Sequence, residues 1–162
     1  MVYIRVKSIV HENFQDYKKS SMFISTISCN WKCLKEKDLD ISICQNSEIY
    51  NLPTLILDDL SIIKQYLNND LTSAIVIGGL EPFLQFNEIL EFVKLFRTYS
   101  TDDVVIYTGY YPQEILSKIK DLQTQKNIII KFGRYKPLKE KRYDETLGIF
   151  LSSPNQFAKK IS

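Results

Sequence analysis

Much of what usually punctuates or cross-links a chain is scarce here. Glycine and proline number five each in 162 residues, so no low-complexity linker and no domain boundary is visible. There are three cysteines and one histidine, His11. An odd cysteine count makes a poor disulfide framework, because one thiol is always left over. A closed structural zinc site lacks its fourth ligand, since there is no further cysteine and no second histidine. His11 has no partner nearby in sequence and reads as a surface histidine. No apolar run approaches the ~20 residues needed to cross a bilayer, and the N-terminal stretch lacks a signal-peptide core. The expectation is a cytoplasmic, reducing setting without membrane association, where disulfides are disfavoured. Net charge is only +2, too weak and too dispersed for a nucleic-acid binder. A phosphate loop and a dinucleotide fingerprint are both missing, because the glycine spacing and the lysine they require are absent.

What is present is ordinary globular material with one dense feature. Hydrophobic residues make up 44% and charged residues 25%, enough for one core in a single domain spanning residues 1–162. Every cysteine falls within the sixteen positions 29–44. Cys29 and Cys33 flank Asn30-Trp31-Lys32, and Cys44 ends the run Ile41-Ser42-Ile43-Cys44. The apolar stretch Met22-Phe23-Ile24-Ser25-Thr26-Ile27 precedes them. Three thiolates delivered from the end of a strand suit a metal or cluster that keeps one position open for a small molecule. Three unrelated buried thiols are the plainer alternative. Against that stands the aperiodic, polar segment 30–57, since loops this long in compact domains are usually functional or liganded.

The rest of the chain alternates strand and helix. A short strand is expected at 3–7, and buried strands at 22–27, 74–77, 103–107 and 128–132. Asp58 or Asp59 can cap a helix over 60–69, with Leu60, Ile63 and Leu67 at helical spacing. A second helix is expected over 86–99, carried by Ile89, Leu90, Val93 and Phe96. A third starts at Pro112 and runs to about Leu122, with Ile115, Leu116, Ile119 and Leu122 on one side. A last strand is expected at 147–151. This order defines an α/β fold with a mostly parallel sheet, whose chemistry lies beyond the carboxyl ends of the strands. The cysteine loop, the 78–82 loop and the 108–111 loop should therefore converge. Gly78 and Gly79 let backbone amides approach a ligand, and Glu81 offers an acceptor for a cationic group, although a tight turn explains the glycines equally well. Thr108 and Gly109 carry the same ambiguity. Late basic residues (Lys131, Arg134, Lys136, Lys139, Lys141, Arg142) are interrupted by acids and read as a solvated loop, with a docking surface for an acidic partner as the alternative.

Taken together, these segments resemble the radical S-adenosylmethionine (SAM) superfamily, and within it the small activating proteins of anaerobic (class III) ribonucleoside-triphosphate reductase. The resemblance covers nearly the whole chain. It is carried by the Cys29-x-x-x-Cys33 loop after Met22-Phe23-Ile24, by Gly78-Gly79-x-Glu81-Pro82, and by Val105-Ile106-Tyr107-Thr108-Gly109-Tyr110. Phe132-Gly133-Arg134-Tyr135, Tyr143-Asp144-Glu145 and Ser153-Pro154-Asn155-Gln156 complete it. The chain departs from the superfamily in two places. Glu36 stands where the third cysteine usually falls, so Cys44, separated from Cys33 by ten residues, is the candidate, with Ile43 in the bulky place before it. Leu80 splits the usual Gly-Gly-Glu run.

The resemblance implies a partial, open (β/α) barrel. It also implies an oxidoreductase in which Cys29, Cys33 and Cys44 hold a 4Fe–4S cluster whose free iron chelates S-adenosylmethionine. Reductive cleavage would yield a 5′-deoxyadenosyl radical that abstracts hydrogen from a glycine Cα of the partner reductase. Gly78, Gly79 and Glu81 would meet the methionine end, with Thr108, Gly109 and Tyr110 along the ribose and adenine. The electron would come from a donor such as a flavodoxin or ferredoxin. The alternatives are a radical SAM enzyme with another small-molecule or peptide substrate, and a non-catalytic zinc-binding α/β module.

Overall fold

Four short apolar runs order the molecule, because each is buried on both faces and so must lie inside a sheet. The computed structural model describes residues 2–162. Its strands and helices run in the order β1 (Tyr3–Val6), β2 (Ser8–Asn13), β3 (Ser21–Ser25), α1 (Lys32–Lys35), β4 (Leu55–Asp58), α2 (Asp59–Leu67), β5 (Ala74–Gly78) and α3 (Phe86–Arg97). They continue with β6 (Asp103–Tyr107), α4 (Leu116–Gln123), β7 (Ile128–Phe132), β8 (Arg142–Asp144), β9 (Ile149–Leu151) and β10 (Phe157–Lys160). The central sheet has six strands in the order β10-β7-β6-β5-β3-β2. Its four inner strands, β3, β5, β6 and β7, are parallel neighbours, and β2 and β10 close the edges in antiparallel. The class is mixed α/β with a mostly parallel central sheet.

Strand alternation sends the residues of each inner strand to opposite faces. Ile75, Ile77, Val104, Ile106, Ile128 and Ile130 meet α2, α3 and α4 in a core that includes Ile63, Phe92, Phe96 and Leu122. The other face carries a smaller cluster, in which Val76, Val105 and Ile129 pack with Tyr17, Leu147 and Leu151. That second cluster is roofed by the two-stranded ribbon β8–β9 and by the turn after β2.

Several expectations need correction. Residues 30–57 are not one loop: they hold α1, the 3-10 turns Ile41–Ile43 and Ser47–Asn51, and β4. Strand β4 pairs with β1, Tyr3 opposite Asp58, and its largely exposed side chains leave no periodic signal. The segment after β1 is a strand, β2, rather than a polar connector. Helix α2 is capped as expected, with the Asp58 carboxylate accepting from Ser61 N at 2.9 Å, but its buried stripe is Asp59, Ile62, Ile63 and Tyr66. Leu67 is 43% exposed, so the spacing was right and the face shifted by one residue. Pro112 opens a 3-10 turn, Pro112–Glu114, and α4 begins only at Leu116, which is itself exposed. Edge strand β10 ends in exposed Lys159 and Lys160, the charge pattern that keeps a free edge from pairing further.

Candidate functional site

The inner strands deliver their carboxyl ends to one edge, and polar ties join the connections there. After β3, Thr26 N and Oγ1 both donate to Gly78 O, at 2.9 and 3.1 Å. Ile27 N donates to Gln85 Oε1 at 2.8 Å, and Glu81 N donates to Ser28 O at 2.9 Å. The cysteine loop is thus stitched to the end of β5 before its first thiol. Trp31 then takes a left-handed conformation with φ 59°, costly for a bulky residue, and starts α1, which contains Cys33. Trp31 N donates to Cys29 Sγ at 3.3 Å.

Cys44 reaches the same place by a different route. Leu34 is buried under the short helix, and the Asp40 carboxylate accepts from Ser42 N at 2.8 Å to start the next turn. The arm folds back so that Tyr50 meets the buried Trp31 ring edge-on, 5.8 Å between centroids. In this way the ten-residue gap between Cys33 and Cys44 is closed.

All three thiols are free and line one cavity of about 630 Å³ that Gly79, Glu81, Thr108, Gly109 and Lys131 also border. A Cβ on Gly109 would come within 2.9 Å of Cys33 Sγ, so only glycine permits this approach. Gly79 has φ +80°, the left-handed region that glycine occupies without strain. Burial pushes the Cys29 thiol up to about 11, the Trp31 N–H opposes this, and Glu81, Cys33 and Cys44 add to the rise. Cys33 is also raised by burial, against the Tyr135 N–H and the charges of Lys131 and Arg134. Among the described residues no three His, Cys, Asp or Glu side chains form a group that could hold a single metal ion. The three sulfurs border one space with Gly79 and Gly109, and thiolates are the usual ligands of iron–sulfur clusters.

Glu81 is 5% exposed. Its carboxylate accepts from Gly109 N (2.9 Å), Thr108 Oγ1 (2.8 Å) and Phe83 N (3.1 Å). It straps the β5 connection to the β6 connection. Burial raises its pKa, and these three donors hold the rise in check.

Two of the late basic residues are not in a solvated loop. Lys131 is 7% exposed and borders the cavity with its Nζ 5.3 Å from the centre of the Tyr107 ring; burial lowers its pKa to about 8. Arg134 is 6% exposed and grips Glu114 through Nη1 and Nη2, each at 2.6 Å, and Glu36 through Nε and Nη2 at 3.2 and 3.0 Å. Both were missed because a basic run in sequence does not show which of its members turn inward. The position of Lys131 inside the apolar run 128–132 was the available signal.

Of the residues singled out in the sequence, Cys29, Cys33, Cys44, Gly79, Glu81, Thr108 and Gly109 meet at the cavity. Gly78 lies within β5 and does not border it. Tyr110 does not border it either; its hydroxyl accepts from Asn30 Nδ2 at 2.8 Å and its ring faces Lys32 and Arg134.

Fold and site together define an α/β protein with a thiol-lined cavity at the carboxyl edge of its sheet. The chain belongs to the 4Fe-4S single cluster domain family, whose match covers residues 19–157, and is thereby an iron–sulfur protein. No curated protein matches it.

Proposed function

We propose that this chain, as a single radical SAM domain over residues 1–162 with a partial, open barrel, activates anaerobic ribonucleoside-triphosphate reductase by generating a glycyl radical on it. The observation that supports this most is the meeting of three free thiols with Gly79 and Gly109 in one cavity, inside a 4Fe-4S family. Cys29, Cys33 and Cys44 would hold the cluster. Bound there, the cluster would supply one electron, from a flavodoxin or ferredoxin, to cleave S-adenosylmethionine reductively.

The chain's own residues orient and clear space. Gly79 and Gly109 keep side chains out of the cavity, so a ligand can approach backbone groups. Glu81 already accepts three protein hydrogen bonds, so its role is to hold the Thr108–Gly109 segment at a fixed place against Cys33. Thr108 Oγ1 in turn accepts from Tyr110 N at 3.0 Å, which fixes the start of the next connection. Gly78 and Tyr110 support these contacts from outside the cavity. Proton transfer by a side chain is not required, which agrees with a site that contains no histidine.

Anaerobic reconstitution tests the reading. The expected protein is brown, carries about four irons per chain, and releases 5′-deoxyadenosine from S-adenosylmethionine under reduction. Mixed with the reductase, it should produce a glycyl-radical signal in electron paramagnetic resonance (EPR). A colourless protein, or one that binds only zinc, would sink the proposal. Iron binding with 5′-deoxyadenosine release but no radical on the reductase would instead favour a different substrate.

A further inference from the structure

Arg134 is the most heavily engaged side chain near the cavity, yet it does not border the cavity. Its guanidinium makes five contacts. Beyond the four to Glu114 and Glu36, Nη1 donates to Gly109 O at 2.7 Å. Glu36 is the C-cap of α1, the helix that bears Cys33. Gly109 is the residue that leaves room for the Cys33 sulfur. Lys32, also in α1, reaches Glu114 Oε1 at 2.9 Å, and Glu114 Oε2 accepts from Tyr111 N at 2.8 Å. One buried cation therefore ties the cysteine helix on one side to residues 109–114 on the other.

The chemistry suits a rigid joint. A guanidinium offers planar donors that grip each of two carboxylates through a pair of N–H groups, which an ammonium cannot do. Here Lys32 and Arg134 balance Glu36 and Glu114, and the network has no leftover charge to seek another partner. Contact with Glu114, and then with Glu36, raises the Arg134 pKa, and Arg134 pulls that of Glu114 down, so Arg134 and Glu114 keep their charges at neutral pH.

We propose that Arg134 is a positioning residue that holds α1 and the Gly109 segment as one body, and so sets the separation between the cysteine-held group and the small molecule bound beside it. This rests on the function proposed above. The joint does not make the cavity; it keeps two of its walls in register.

The experiment compares wild type with Arg134→Gln, Arg134→Lys and Glu36→Gln. Each protein is reconstituted with iron and sulfide, reduced, and titrated with S-adenosylmethionine while the cluster's EPR signal is followed; Cys33 alkylation is measured in the iron-free chains. In Arg134→Gln and Arg134→Lys the iron content should match wild type, while the concentration of S-adenosylmethionine at half-saturation rises about tenfold or more, within the ordinary range of coupling between two sites. Glu36→Gln weakens only the direct tie from Arg134 to α1 and should raise it by about threefold, because Arg134 keeps Glu114, which Lys32 still links to α1. Cys33 should alkylate several-fold faster in all three variants, with Cys44 unchanged. A wild-type response with unaltered half-saturation in Glu36→Gln and Arg134→Lys overturns the inference alone. So does loss of iron in Arg134→Gln with Glu36→Gln behaving as wild type, for then the residue is merely structural. A wild-type protein that takes up no iron, or whose signal ignores S-adenosylmethionine, overturns the proposed function and this inference with it.

Discussion

The two faces of the central sheet are built from the same strands and end up doing different work. On one face Ile75, Ile77, Val104 and Ile106 meet three helices, and the contact is apolar and rich in aromatic rings, with Phe92 stacked on Phe96 at 6.4 Å. On the other, a ribbon and a turn cover only part of the sheet, and the cavity occupies the side toward the carboxyl ends. Full helix cover gives apolar burial, the main favourable term in folding. Partial cover gives room for a ligand. Each face also holds a buried ionisable side chain without an ion-pair partner among the described residues. Asp59, on the helix side, is 0% exposed with no donor for either carboxylate oxygen; Lys131 opens onto the cavity.

Four substitutions break or sharpen that contrast. Cys44→Ala has the largest expected effect and should abolish uptake of the full cluster, read as iron content after reconstitution, while the urea midpoint of the iron-free chain barely moves. A Cys44→Ala protein with normal iron and normal cleavage of S-adenosylmethionine would refute the three-cysteine ligand set. Phe96→Ala, on the other face, should leave Cys29, Cys33 and Cys44 in place but lower stability by about 3–5 kcal/mol in urea unfolding.

Asp59→Asn should come next, with the opposite sign. Burial raises the folded-state pKa to about 6, the neighbouring Asp58, Glu88 and Glu91 adding to it, from an ordinary value of 3.8. The stability this gives is complete below the unfolded value and is lost as pH rises through 6. Removing the charge should therefore stabilise the protein by about 1–3 kcal/mol near pH 7.5 and by almost nothing near pH 3.5. Equal melting shifts at both pH values would contradict the assignment. Lys131→Met is expected to be the smallest change. Folding lowers the ammonium's pKa to about 8, so the wild-type chain gains stability from this group as pH climbs from 8 toward the unfolded value. The variant should be more stable by roughly 1 kcal/mol at neutral pH, with the advantage fading as pH rises from about 8 and gone above about pH 10, and only in the iron-free protein.

How much of this was legible depended on where the partner of each residue lies. The inner strands and α3 could be read because burial on both faces, or on one helical stripe, is a local pattern: Ala74-Ile75-Val76-Ile77 and Ile89-Val93-Phe96 carry it in their own spacing. The meeting of the 29–33, 78–81 and 108–109 segments followed from the alternation of strand and helix. Strand β4 was not legible, since its exposed residues gain their conformation only by pairing with Tyr3–Val6 some fifty positions away. The same holds for Arg134, whose carboxylates come from positions 36 and 114, and for Glu81, which looked like a free acceptor until its three donors were in view.

By itself, then, the sequence determined the α/β class, the order of the buried strands, and the delivery of three thiols into a chain without disulfide partners. It did so because hydrophobic period and residue chemistry are local. Only the tertiary structure decided how Cys44 crosses its gap, which face of α2 is buried, and that two cations from a basic run turn inward. Those outcomes depend on contacts between segments far apart in the chain, where burying a charge is costly unless the fold brings it a partner or a cavity.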